Sequence, residues 1–218
     1  MRLKNLTFVC LFVSVSTIAQ KIVVLGSSVA EGAGASCTDS SWVGRLKQYF
    51  KDKKEVINLA KSDYTTYQML PHGTVCPTDR PKIDSARNIT TALALSPEIL
   101  IIAMTTNDIS LGYGINEYFR NLDIAINEAK RNKVKHIYIA TSVPNGNAND
   151  NKRHLLFDQR NIIIKKYPFA IDIWGILEGD GFKPKKETNS GDNLHPNNAG
   201  HRLIFEEVLK SILATSNP

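Results

Sequence analysis

Five short apolar runs alternate with amphipathic stretches along this sequence, and few architectures accommodate that order. Residues 21–26 (KIVVLG), 55–60 (EVINLA), 98–104 (EILIIAM), 135–141 and 170–174 (AIDIW) read as strands. Each is a continuous apolar run, as expected of a strand covered on both faces. Between them the spacing predicts helices over 42–50, 84–95, 116–131 and 152–167, with a closing helix over 197–213. Trp42, Leu46, Tyr49 and Phe50 share one face of the first helix, which Ser40 or Ser41 can cap. Phe119, Leu122, Ile126 and Ala129 form the inward face of the third, and Pro97 follows the second. Strands separated by helices imply a parallel sheet with helices on both faces, joined by right-handed crossovers. The expected fold is therefore α/β, a three-layer α/β/α sandwich with a five-stranded parallel sheet. There is no internal repeat or interdomain linker, and 218 residues suit one domain with a full core.

The first nineteen residues stand apart from this pattern. Arg2 and Lys4 precede an apolar run from Leu6 to Val15, and Thr17-Ile18-Ala19 places small residues before a cleavage point. That is the layout of a secretory signal peptide, too short to span a bilayer. The expected product is residues 20–218, exported to the periplasm or the medium, with no integral membrane association. Formal charge is +6 from 27 basic and 21 acidic residues; without Arg2 and Lys4, 25 face 21 and +4 remains. This excess is mild and unclustered. Lys183, Lys185 and Lys186 read as a solvated loop, so a nucleic-acid partner is not expected. Apolar residues at 42% and charged residues at 22% exclude a disordered or collagen-like chain. Cys37 and Cys76 remain after cleavage, an even pair in an oxidising compartment. They are a disulfide candidate that would add about 3–4 kcal/mol by closing a loop of roughly 40 residues; two unrelated thiols are the other reading.

In open sheets of this type, sites form outside the carboxyl ends of the strands. After the first strand comes Gly26-Ser27-Ser28-Val29, a glycine-flanked serine on a strand-to-helix turn. Such a turn can hold a nucleophile or a phosphate. The dinucleotide pattern fails, because Gly32 and Gly34 are followed by Cys37 where a third glycine belongs, and no Gly-Lys-Ser/Thr is present. After the second strand comes Asn58-Leu59-Ala60, and after the third Thr105-Thr106-Asn107-Asp108. Near the C-terminus, Asp192-Asn193-Leu194-His195-Pro196 sets a carboxylate three residues before a histidine. That spacing lets the carboxylate accept a hydrogen bond from one ring nitrogen, leaving the other to take a proton from a hydroxyl.

These four blocks, in this order at these strand ends, resemble the SGNH, or GDSL-like, esterase and lipase family over essentially the whole chain after the leader. The resemblance implies a flavodoxin-like fold and hydrolysis of acyl esters without a metal or organic cofactor. It implies Ser28 as nucleophile, His195 as general base and Asp192 as the residue orienting it. It also implies an oxyanion hole from the Ser28 and Ala60 backbone amides and the Asn107 side chain. Three positions depart from the family pattern: Ser27 stands for its aspartate, and Ala60 and Thr105 each stand for a glycine.

An exported serine esterase acting on a small-molecule or glycan ester is the expected function, with a short acyl group on a carbohydrate favoured by the family and by export. A lysophospholipase or an acyltransferase would use the same triad. A glycan-binding module that has lost turnover is the alternative from another class, and Ser27, Ala60 and Thr105 are what it would cite. No converging set of metal ligands is visible. His72, His136, His154 and His201 receive no role, and Trp42 and Trp174 read as core or cleft-wall aromatics. Oligomeric state is not fixed by the sequence.

Overall fold

The computed structural model describes residues 20–216, so the leader lies outside the described residues. Five parallel strands form one sheet in the order β2-β1-β3-β4-β5, with β1 Gln20–Gly26, β2 Lys54–Asn58, β3 Ile99–Ala103, β4 His136–Ala140 and β5 Ala170–Ile171. Register pairs Val24 with Asn58 on one side and with Ile101 on the other. Side chains alternate across the sheet, so the continuous runs feed two cores. Ile22, Val24, Ile99, Ile101, Tyr138 and Ile171 pack under α1 (Ser28–Glu31), α2 (Trp42–Phe50) and the closing α8 (Asn198–Ser216). Val23, Leu25, Leu100, Ile102 and Ile139 pack under α3 (Ile89–Ala94), α5 (Ile115–Arg131) and α6 (Asp150–Lys166). Helices cover both faces, which completes the three-layer sandwich and explains why no strand shows polar alternation.

Local chemistry moves several boundaries. Residues 170–174 are a strand only as far as Ile171. The Thr141 hydroxyl accepts the amides of Ile173 and Trp174 at 3.0 and 3.1 Å, and Asp172 accepts that of Gly175 at 3.2 Å. These bonds turn the chain into α7 (Ile173–Leu177). In the 84–95 stretch only α3 is helical. Buried Asn88 starts it by accepting the Thr91 amide at 2.9 Å, whereas Asp84 is committed to the Tyr64 hydroxyl and the Ala86 amide. In α2 the cap is Ser41, which accepts the Gly44 amide at 3.0 Å. Tyr49, expected inward, is 42% exposed and packs beside Phe50 and Phe205. A short helix α4 (Asn107–Leu111) follows β3 where a loop is expected. Trp42 and Trp174 are both fully buried, Trp42 donating its indole N–H to Val29 O at 3.0 Å.

The expected disulfide is not formed: Cys37 and Cys76 are both free. Cys37 sits before α2, beside α8, with its Sγ 3.3 Å from Ser40 Oγ. Cys76 lies in the long loop that packs against α5 through the Arg80–Glu117 ion pair, and its Sγ contacts Thr74 O at 3.9 Å. The two loops leave neighbouring strands but run to opposite faces of the sheet, and this separates the thiols.

Candidate active site

Ser28 opens α1 directly after β1. The turn is tight: a Cβ on Gly26 would lie 2.5 Å from Ala30 Cβ and 3.1 Å from Ala103 O, so only glycine lets α1 fold back on β1 and β3. Ser27 occupies the N-cap position but uses its side chain elsewhere, its Oγ lying 3.5 Å from Thr105 Oγ1. The Ser28 carbonyl accepts the amides of Gly32 and Ala33 at 2.9 Å each, which fixes the residue. Its side chain, free of capping duty, points into the cleft with Oγ 2.9 Å from His195 Nε2.

His195 comes from the loop before α8. Its Nδ1 lies 2.6 Å from Asp192 Oδ2. Asp192 Oδ1 accepts the backbone amides of Leu194 and His195 at 2.9 and 2.8 Å, so one carboxylate both closes the turn and orients the ring. Partial burial works to raise the Asp192 carboxyl, but the bonds from the His195 ring, the two amides and Ser190 outweigh it and hold the group at about 2. A carboxylate on Nδ1–H leaves Nε2 as an acceptor facing the Ser28 hydroxyl. The loop is held from three sides. Asn189 Nδ2 donates to His195 O at 3.1 Å, Asn197 Nδ2 donates to Glu187 O and Asn189 O at 3.0 Å each, and Asn147 Nδ2 donates to Asp192 O at 2.8 Å. Buried His201 ties α8 to the segment after α1, its Nε2 3.0 Å from Ala33 O.

Asn107 stands at the start of α4, and its Nδ2 donates to Tyr64 O at 2.9 Å. A primary amide has a second hydrogen, which remains for a ligand. The Ala60 amide donates to Asn58 Oδ1 at 3.0 Å, and Asn58 Nδ2 reaches Ala30 O at 2.8 Å. That amide is therefore already engaged. Asp108, next to Asn107, is buried and accepts the Thr66 amide at 3.0 Å and the Thr66 hydroxyl at 2.5 Å. Two consecutive residues of α4 thus clamp the Tyr64–Thr66 turn.

Burial pushes the Asp108 carboxyl up to about 6, against the lowering effect of the Thr66 bonds. A folded-state value above the unfolded value of about 3.9 means stability present at low pH and lost as pH rises through about 6. Urea unfolding should show the native protein losing up to about 3 kcal/mol from this group between pH 4 and 7. Asp108→Asn should lack that component. Parallel pH profiles for the two proteins would refute it.

Beside the His195 loop lies a depression of about 460 Å³ lined by Gly34, Ser36, Asn189, Ser190, Asn197, Asn198 and Ala199, five of them with amide or hydroxyl side chains. An apolar cavity of about 190 Å³ lies between β4, the end of α5 and the turn into β5, at the amino-terminal edge of the sheet and away from Ser28. Among the described residues no three His, Cys, Asp or Glu side chains are placed to hold a metal ion.

Comparison with protein families matches residues 24–203 to the GDSL-like Lipase/Acylhydrolase family. The chain belongs to that family. Its members are serine hydrolases of carboxylic esters, and the four blocks lie within or beside the matched span. Solved structures show the same fold. A G-D-S-L family protein from Desulfitobacterium hafniense superposes with a TM-score of 0.69 at 17% identity, covering 88% of this chain and 99% of the other. The esterase EstA from Pseudoalteromonas sp. gives 0.64 at 17% identity, covering 91% and 100%. A two-domain esterase active on acetylated mannans gives 0.62 at 16%, covering 92% of this chain and 50% of the other. Comparison with curated proteins finds no match.

For a GDSL-like acylhydrolase the three departures become legible together. Ser27 and Thr105 face one another across the turn, both buried, so a hydroxyl pair occupies the space behind Ser28. Thr105 O also accepts Gln159 Nε2 at 3.1 Å. Neither Ala60 nor Thr105 has a positive φ, so an L-residue replaces glycine at each without backbone strain. The sequence does not single out residues that brace the candidate site, Thr66, Asn147, Asn189 and Asn197, and Asn58 is named there only as part of its block. Asn189 and Asn197 at least flank the last block, whereas Thr66 and Asn147 carry no signal in the sequence.

Proposed function

We propose that this chain is an exported serine esterase that removes short O-acyl groups from a polar alcohol, a carbohydrate foremost, through Ser28, His195 and Asp192. The observation that carries the reading is the Ser28 Oγ–His195 Nε2–Nδ1–Asp192 chain at 2.9 and 2.6 Å on the carboxyl edge of the sheet. His195 Nε2 takes the hydroxyl proton as Ser28 Oγ attacks the ester carbonyl carbon. Negative charge moves to the carbonyl oxygen, where the Ser28 amide and the second Asn107 N–H receive it; each such donor is worth about 3–4 kcal/mol. The Ala60 amide would join them only by sharing its hydrogen with Asn58. His195 then gives the proton to the departing alcohol, leaving an acyl ester on Ser28. Water, deprotonated by His195, attacks that ester, and the acid leaves as Ser28 regains its proton.

The amide and hydroxyl side chains lining the depression beside His195 support a hydroxyl-bearing alcohol moiety, and the expected leader supports export. A lipid ester would call for an apolar channel at Ser28, whereas the apolar cavity lies at the opposite edge. An acyltransferase would differ only in the acceptor that replaces water. The test is hydrolysis of p-nitrophenyl acetate by residues 20–218, with mass mapping after treatment with a phosphonate ester. Turnover together with a single adduct on Ser28 is expected. An inert protein that takes no adduct would overturn the reading in favour of a binding module.

A further inference from the structure

Between the start of α6 and the segment after α7 lies an open depression of about 560 Å³, lined by Asp150, Arg153, His154, Asp180, Phe182 and Lys183. The segment that lines it also packs against the loop that carries His195. The segment's Pro184 approaches Gly146, whose backbone donates to Asn193 O at 2.8 Å in the turn between Asp192 and His195. We propose that this depression is a carbohydrate subsite, holding a sugar unit of the ester substrate whose acyl group reaches Ser28. It rests on the esterase reading and adds the residues that would select the alcohol.

Three observations carry it. First, Phe182, half-buried against Trp174 and Phe157, is held under backbone strain: it follows left-handed Gly181 (φ 65°) with φ 58° of its own. A bulky residue rarely takes that conformation, and strain of this kind collects at ligand sites. Second, the ring is supported. Phe182 stacks on Phe157 at 4.6 Å, and Trp174 lies 6.1 Å away at a tilt, with His154 edge-on at 5.1 Å. A braced aromatic surface suits the C–H face of a pyranose. Third, the charges balance. Two carboxylates, Asp150 and Asp180, stand against two cations, Arg153 and Lys183. An anionic ligand would meet the first pair and a cationic one the second. A neutral polyol can donate hydroxyls to the carboxylates and accept from the cations. Arg153 is held in place by its bonds to Ala148 O and Asp150.

Two variants test this: Phe182→Ala, and Asp180→Ala as an exposed position whose loss leaves the core untouched. Each is assayed on p-nitrophenyl acetate, which carries no sugar unit, and on acetylated manno- and xylo-oligosaccharides. On the oligosaccharides kcat/KM should fall at least tenfold for Phe182→Ala and about threefold for Asp180→Ala, through KM. On p-nitrophenyl acetate both should stay within twofold. Equal effects on the two substrates, or none, would overturn the subsite. Binding of the deacetylated oligosaccharides, followed by calorimetry, separates the two proposals. Weakened binding in the variants supports the subsite even where wild-type turnover is absent, and no binding by any form overturns it.

Discussion

Ser28→Ala is expected to lower kcat for p-nitrophenyl acetate by about 10⁴-fold or more while leaving the fold intact. The two halves of that expectation have separate grounds. Among the described residues Ser28 is the hydroxyl bonded to His195 Nε2, so the loss is of the nucleophile itself, and the remaining donors act only on uncatalysed attack by water. The side chain has no structural duty to lose. Ser27, not Ser28, holds the N-cap position of α1, and the Ser28 bonds that fix the turn come from its backbone carbonyl. Alanine is also the best helix former for the position vacated. Thermal unfolding of the variant should therefore match the native protein within a few degrees. A variant that keeps a tenth of native activity would remove Ser28 from the chemistry, and one that unfolds early would show that the turn needs the hydroxyl. The phosphonate adduct expected on the native protein should be absent from the variant.

How much of this could be read beforehand depended on range. The strands at 21–26 and 98–104 were legible because burial on both faces leaves an unmistakable apolar run. Ser28 and Asn107 could be nominated because each lies in a local motif at a strand end, and Asp192 and His195 because they share one short motif; the family resemblance supplied their roles. What escaped was fixed by partners distant in sequence. The 170–174 run ends early because Thr141, some thirty residues before it, accepts the amides that would have continued the strand. The helix expected from Asp84 begins at Ile89 because Tyr64 holds the Asp84 carboxylate. Helix α4 is too short for any periodicity to show. The disulfide expectation used parity and compartment, but the face to which each loop runs is decided by packing. The Ala60 amide illustrates the same limit: its position was legible, its bond to Asn58 was not.

Gly34→Ala should reduce kcat/KM by about 10²-fold without replacing any proposed catalytic group, through displacement of His195. Gly34 follows α1 and presses against the loop before α8. A Cβ there would lie 2.2 Å from Pro196 O and 3.0 Å from His195 Cβ, far inside contact distance. Neither partner is free to yield. Asn197 N–H is bonded to Thr188 O at 2.9 Å and Asn189 bridges to Pro196, so the strain falls on the His195–Pro196 backbone. Ring and hydroxyl are only 2.9 Å apart, and a shift of about 1 Å breaks proton transfer between them. Gly34 also has φ +89°, so alanine would add about 1–2 kcal/mol of backbone strain wherever it pointed. Gly73→Ala separates the two effects. That glycine has φ +81°, and a methyl group added to it would meet nothing within 4 Å, so it carries the strain without the collision. In urea Gly73→Ala should lose only the strain component and Gly34→Ala more than that, and only Gly34→Ala should lose activity and react slowly with the phosphonate. Equal activity in the two would mean that His195 is not held by this contact.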